Sequence, residues 1–90
     1  MGNASVKLKI MPTSPDVDLE ALKSKIEEVV KTKEGEILEQ IEEPIAFGLK
    51  AIITTFKWDQ ENDSDVAVDA ISQIEEVNSC QVLEVSLMFS

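Results

Sequence analysis

The spacing of apolar residues changes along this chain in an order that few folds accommodate. Val6, Leu8 and Ile10 alternate with Ser5, Lys7 and Lys9, a period of two that gives a strand one apolar face. Leu19, Leu22, Ile26, Val29 and Val30 then recur at helical intervals, with Lys23, Lys25, Glu27 and Glu28 on the other side. Residues 36–41 read as a second, less regular strand. Residues 49–58 are a third, carrying Ile52, Ile53, Thr54, Thr55, Phe56 and Trp58, and their apolar, β-branched content places it centrally. Val66, Val68, Ala70, Ile71, Ile74 and Val77 return to helical spacing. Residues 80–89, with Val82, Val85 and Leu87, close the series as a last strand. The order βαββαβ is the split βαβ pattern. It predicts an α+β, ferredoxin-like fold: a four-stranded antiparallel sheet, two helices on one face and right-handed crossovers.

The punctuation agrees with these elements. Pro12 and Pro15 end the first strand, with Thr13 and Ser14 in a short loop. Asp18 is a good N-cap, and Val17 and Leu22 have the spacing of a hydrophobic staple across it. The first helix should run to about Lys31, where lysines suit its C-terminal dipole, and residues 33–36 turn around Gly35. Residues 59–63 hold no apolar side chain and predict an exposed turn, after which Ser64 or Asp63 caps the second helix. Asn78 and Ser79 are expected to stop that helix.

At 90 residues the chain is read as one domain, residues 1–90, burying about 60% of its unfolded surface. No apolar run is long enough to span a bilayer, and the N-terminus lacks the charged-then-apolar pattern of a signal peptide. The lone Cys80 cannot form an internal disulfide, which fits a reducing, cytoplasmic location. Eighteen Asp and Glu face eight lysines, with neither arginine nor histidine, giving a net charge of −10. That field repels phosphate backbones and argues against direct nucleic-acid binding. Without histidine the usual Ser and Cys triads cannot be assembled.

Candidate chemical sites dissolve when their spacing is checked. The acidic run from Asp59 suggests a calcium loop, but the required Gly and Glu positions hold Ser64 and Ala70. Asp16 and Asp18 are better explained by helix capping than by metal binding. Glu42 and Glu43 have nothing to mark either as a shifted carboxylate, and Cys80 reads as a small buried hydrophobe. Gly2, Gly35 and Gly48 are too far apart for a phosphate loop. No catalytic residue, metal or cofactor is expected.

One segment stands out. Between the second and third strands lies Glu42-Glu43-Pro44-Ile45-Ala46-Phe47-Gly48-Leu49-Lys50, where Pro44 and Gly48 break the strands. Ile45, Ala46 and Phe47 put an apolar tripeptide where a solvated turn normally carries Asn, Ser or Lys. Such a tip either folds back as the end of the core or is offered to a partner. Leu87, Met88 and Phe89 pose the same choice: they complete the last strand or form an apolar contact.

The run Lys9-Ile10-Met11-Pro12-Thr13-Ser14-Pro15-Asp16-Val17-Asp18-Leu19-Glu20-Ala21-Leu22-Lys23 resembles the N-terminal half of archaeal translation elongation factor 1-beta proteins. Residues 41–51 are similar to that family's central loop and third strand, and residues 69–77 to its last helix. The likeness covers essentially the whole chain. It implies a guanine-nucleotide exchange factor for elongation factor 1-alpha, the GTPase that delivers aminoacyl-tRNA to the ribosome, and it implies the same fold. It also implies that Pro44, Ile45, Ala46, Phe47 and Gly48 contact the GTPase, with Phe47 the aromatic contact and Gly48 letting the backbone turn. In related eukaryotic factors a lysine near the C-terminus reaches toward the magnesium site. Here no lysine follows Lys57, so that step is not carried over, and Leu87, Met88 and Phe89 stand as the apolar candidates. The competing reading is a small ferredoxin-like regulatory or assembly domain that binds a ligand or oligomerises through a sheet edge.

Overall fold

A computed structural model describes residues 2–59 and 63–88. The elements run β1 (Asn3–Pro12), α1 (Leu19–Thr32), β2 (Glu36–Pro44), a single turn at Ala46–Gly48, β3 (Lys50–Asp59), α2 (Asp65–Ser72) and β4 (Val77–Met88). All pairings are antiparallel, in the order β2-β3-β1-β4. This is the expected ferredoxin-like βαββαβ architecture.

Alternation in β1 decides which side is covered. Ala4, Val6, Leu8 and Ile10 are buried, and their partners across the ladder are Trp58, Phe56, Thr54 and Ile52. Leu22, Ile26 and Val30 of α1 join Ala67 and Ile71 of α2 on that layer, so both helices lie on one face. Phe56 and Trp58 meet edge to face at 5.6 Å, while the Trp58 indole N–H meets no acceptor among the described residues. The fully buried polar side chain Thr54 donates to Gln40 Oε1 at 3.1 Å, and Gln40 Nε2 donates to the Lys23 carbonyl at 3.2 Å. That chain satisfies a hydroxyl that would otherwise be costly to bury.

The caps agree with the sequence reading, and the end of the second helix does not. Asp18 Oδ1 accepts from the amides of Glu20 and Ala21, as its spacing implies. At the second helix Ser64 makes no side-chain cap, and Asp63 Oδ1 instead accepts from the Asp65 amide at 2.9 Å. That helix ends at Ser72, short of the extent expected. Val77 begins β4 opposite Pro12, and Asn78 and Ser79 continue the strand rather than stop a helix. Ile74 and Val77 keep helical spacing from Ile71, but the Ile74 and Val77 amides bond to the Ile71 and Ile74 carbonyls in successive turns that lead into β4.

The end of α1 is closed by two backbone bonds, Gly35 N–H to Val30 C=O at 2.8 Å and Glu34 N–H to Lys31 C=O at 3.0 Å. This is the Schellman arrangement, and its left-handed position holds Glu34, φ 67°, instead of glycine. Gly35 is kept one residue later by packing: a Cβ there would lie 2.6 Å from Val30 Cγ1 and 3.0 Å from the Trp58 ring. Glu34→Gly should therefore raise the unfolding free energy by roughly 1 kcal/mol, and Gly35→Ala should lower it by roughly 1–3 kcal/mol. Denaturant unfolding followed by Trp58 fluorescence measures both.

Candidate interaction sites at the two ends of the sheet

The β2–β3 connection is built from a short set of backbone bonds. Ile45 N–H donates to Leu49 C=O at 2.8 Å, and Leu49 N–H to Ala46 C=O at 3.2 Å. The two central residues of the Ala46–Leu49 turn are Phe47, φ 61° and ψ 33°, and Gly48, φ 77°. Positive φ at both positions defines a type I′ turn, whose twist matches a hairpin and whose preferred residues are Asn-Gly. Gly48 meets that preference. Phe47 opposes it, because a residue with a Cβ held in the left-handed region costs roughly 1–2 kcal/mol.

The side chain gains nothing locally in return. Phe47 is 95% exposed, so it is no part of the core, while Ile45 and Leu49 on either side are half-buried. The apolar tripeptide thus divides: Ile45 turns partly inward and Phe47 stands out. Pro44 closes the ladder opposite Lys50, and Ala46 and Gly48 are exposed.

The base of this hairpin is tied to α1. Glu42 Oε2 accepts from Lys23 Nζ at 2.9 Å, and Lys50 Nζ lies 3.9 Å from Glu42 Oε1. The hydrogen bond from Lys23, against some desolvation, holds the Glu42 carboxyl below its ordinary value; the same bond raises Lys23. A carboxylate whose folded value is depressed adds stability above the unfolded value, near 4.5, and loses it as pH falls through the folded one. The raised Lys23 loses its contribution only as pH rises past 10.5.

The C-terminal candidates lie at the other end. Leu87 opposes Ala4, which opposes Trp58, so Leu87 sits eight β3 residues away from Lys50, about 26 Å along the strand. The molecule is 42 Å in its longest dimension. Leu87 is 61% and Val85 52% exposed although both oppose buried β1 residues. The cause is length: an eight-residue helix spans about 12 Å and a twelve-residue strand about 40 Å, so α2 cannot cover β4. Met88 ends the strand opposite Asn3, and Phe89 lies outside the described residues. Cys80 is half-buried and free, its thiol pushed up to about 11 by burial, so it carries no thiolate at neutral pH. Among the described residues no group of three or more carboxylates and thiols is placed to hold a metal, and no helix is long and apolar enough to cross a membrane.

Residues 5–88 match the family model described as the EF-1 guanine nucleotide exchange domain. The chain is 42% identical to elongation factor 1-beta of Methanocaldococcus jannaschii over 97% of its own length and 99% of that protein. It is 45% identical to the protein of that name from Methanothermobacter thermautotrophicus over 94% and 96% of the two chains. For the one from Methanosarcina acetivorans the identity is 44% over 93% and 96%. The chain belongs to the elongation factor 1-beta family. Its role is accordingly that of a nucleotide-exchange factor in translation elongation.

Two measurements check this geometry. Phe47→Asn should keep or raise stability, by up to about 1 kcal/mol, because Asn suits the left-handed site. Phe56→Ala in the core should lose about 3–5 kcal/mol under the same conditions. Separately, Glu42→Gln should be less stable than the parent at neutral pH, and the gap should narrow as pH falls below 4.5 and through the depressed Glu42 value; urea unfolding across an acid pH series reads the difference.

Proposed function

We propose that this protein accelerates release of GDP from elongation factor 1-alpha by gripping the GTPase with both ends of its sheet. Phe47 is the anchor at one end, presented by Pro44, Ile45, Ala46 and Gly48. Leu87, Met88 and Phe89 form the contact at the other. The observation that carries the reading is Phe47 itself: an aromatic ring 95% exposed, on a turn whose backbone opposes its presence. Large exposed aromatics on rigid supports are typical of binding hot spots. Strain kept without a local return points to a role outside the fold.

The separation of the two ends bears on the partner's size. Contacts about 26 Å apart suit a protein surface and not a small ligand. Exchange then follows from linkage. A factor that binds the nucleotide-free GTPase more tightly than the GDP-bound form must weaken GDP binding by the same ratio. No covalent bond is made or broken, so the protein acts as a binding module in the cytoplasm, where its GTPase works. Leu87, Met88 and Phe89 act at their end by apolar packing against the GTPase.

The test is release of a fluorescent GDP analogue from purified elongation factor 1-alpha, with and without this protein. A marked acceleration at several micromolar factor is expected, and none would overturn the proposal. Phe47→Ala should cut the effect by at least about tenfold with little change in melting temperature. Leu87→Ser at the opposite end should weaken exchange as well while the fold is retained.

A further inference from the structure

The hairpin that carries Phe47 extends past the body of the sheet. The β1–β3 ladder ends at Ile10↔Ile52, whereas β2–β3 continues through Glu43↔Ala51 to Pro44↔Lys50. Residues 43–51 thus form a two-stranded ribbon on the end of a four-stranded sheet. Two-stranded hairpins are marginal by themselves in water, so the angle of the ribbon to the body has to be fixed from the side. The last row common to β2, β3 and β1 is Glu42–Ile52–Ile10. At that row Glu42 takes the ammonium of Lys23 from α1 and lies near that of Lys50 from β3. Gln40, two residues earlier, holds the Lys23 backbone carbonyl. Lys23 is therefore gripped by β2 at both its backbone and its side chain, where the sheet narrows to the ribbon.

We infer that Glu42 is a positioning residue: its bond to Lys23, with the Lys50 ammonium 3.9 Å away on the hairpin's other strand, holds the hairpin at one angle to α1, so that Phe47 is presented in one orientation. The inference rests on the reading of Phe47 as the contact residue. Glu42 acts through Lys23 and needs no contact with the partner. Its loss lets the ribbon swing, lowers the fraction of molecules with Phe47 correctly placed, and raises the apparent dissociation constant by that fraction. Once bound, the complex is the same, so the rate at saturation is unchanged.

The experiment is the GDP-release assay with the full chain, titrating factor at neutral pH. Glu42→Gln and Lys23→Met should each raise the half-saturating concentration roughly two- to fivefold, the range set by an exposed ion pair, at an unchanged saturating rate. The double variant should be no worse than Glu42→Gln alone, because Glu42→Gln already removes the Lys23 contact. Amide order parameters at Ala46–Leu49 should fall in both variants while those of α1 hold. Full activity in both single variants, beside an impaired Phe47→Ala, overturns the positioning role and leaves the Phe47 reading standing. Losses that multiply in the double variant also overturn it, since Glu42 would then be touching the partner directly. An unimpaired Phe47→Ala removes the contact reading and this inference with it.

Discussion

Burial of the helix-facing side of β1 and β3 is the constraint on which the rest of the molecule depends. Val6, Leu8, Ile10, Ile52 and Phe56 are fully buried there, and Leu22, Ile26 and Val30 of α1 complete the layer. Burying side chains of that size contributes about 1.5–3 kcal/mol each before chain entropy is subtracted. The two strands are central, so their ladder sets the register of both edges. Because β4 is long and α2 is short, the layer leaves the strand around Leu87 uncovered, and at the other end the β2–β3 hairpin runs on past the last β1 partner, Ile10↔Ile52. At the Leu87 end, the exposed apolar groups are consequences of strand length measured against helix length.

The charge is distributed as unevenly as the apolar surface. Residues 58–90 hold eight of the eighteen acids and none of the eight lysines, so they carry −8 of the net −10. Those residues include α2 and β4, at one edge of the sheet. At physiological ionic strength such a field fades over about 8 Å. It therefore acts on groups in or near contact, repelling phosphate and favouring cationic surface. The lysines lie in β1, α1 and the β2–β3 side, where Lys23 and Lys50 are spent on Glu42 and Lys25 on Glu76.

Periodicity carried the architecture because each change of spacing reflects which side of an element is buried. It failed at α2, where Ile74 and Val77 keep helical spacing from Ile71 by coincidence and the chain nevertheless turns into β4. The single-residue shifts at Leu38 in β2 and at Asn78 and Leu83 in β4 were also invisible, since a bulge shows only against its partner strand. At the hairpin, the sequence Phe47-Gly48 between two strands held the signal of a type I′ turn. Composition argued against it, because Phe is a poor occupant of that position. Whether Ile45 and Phe47 were core or contact had no answer in the pattern, and the backbone separates them. The Lys23–Glu42 bond joins residues nineteen apart in sequence, and only the registry of α1 on β2 brings them together.

The hairpin shows why a local rule is broken where it is. Asn at position 47 would suit the turn better, and the fold would lose nothing, since Phe47 touches none of the core. A leucine or valine in the core has its place secured by stability; Phe47 has no such support and stands against a backbone penalty of roughly 1–2 kcal/mol. On the reading proposed above, contact with the GTPase is what offsets that penalty. On that reading, a residue carried on a closed turn loses little backbone freedom when it docks, so more of its burial appears as affinity. On the same reading, the strained turn at Phe47 and the inferred bracing at Glu42 serve one end: both restrict, before any partner arrives, where the turn that carries the ring can be.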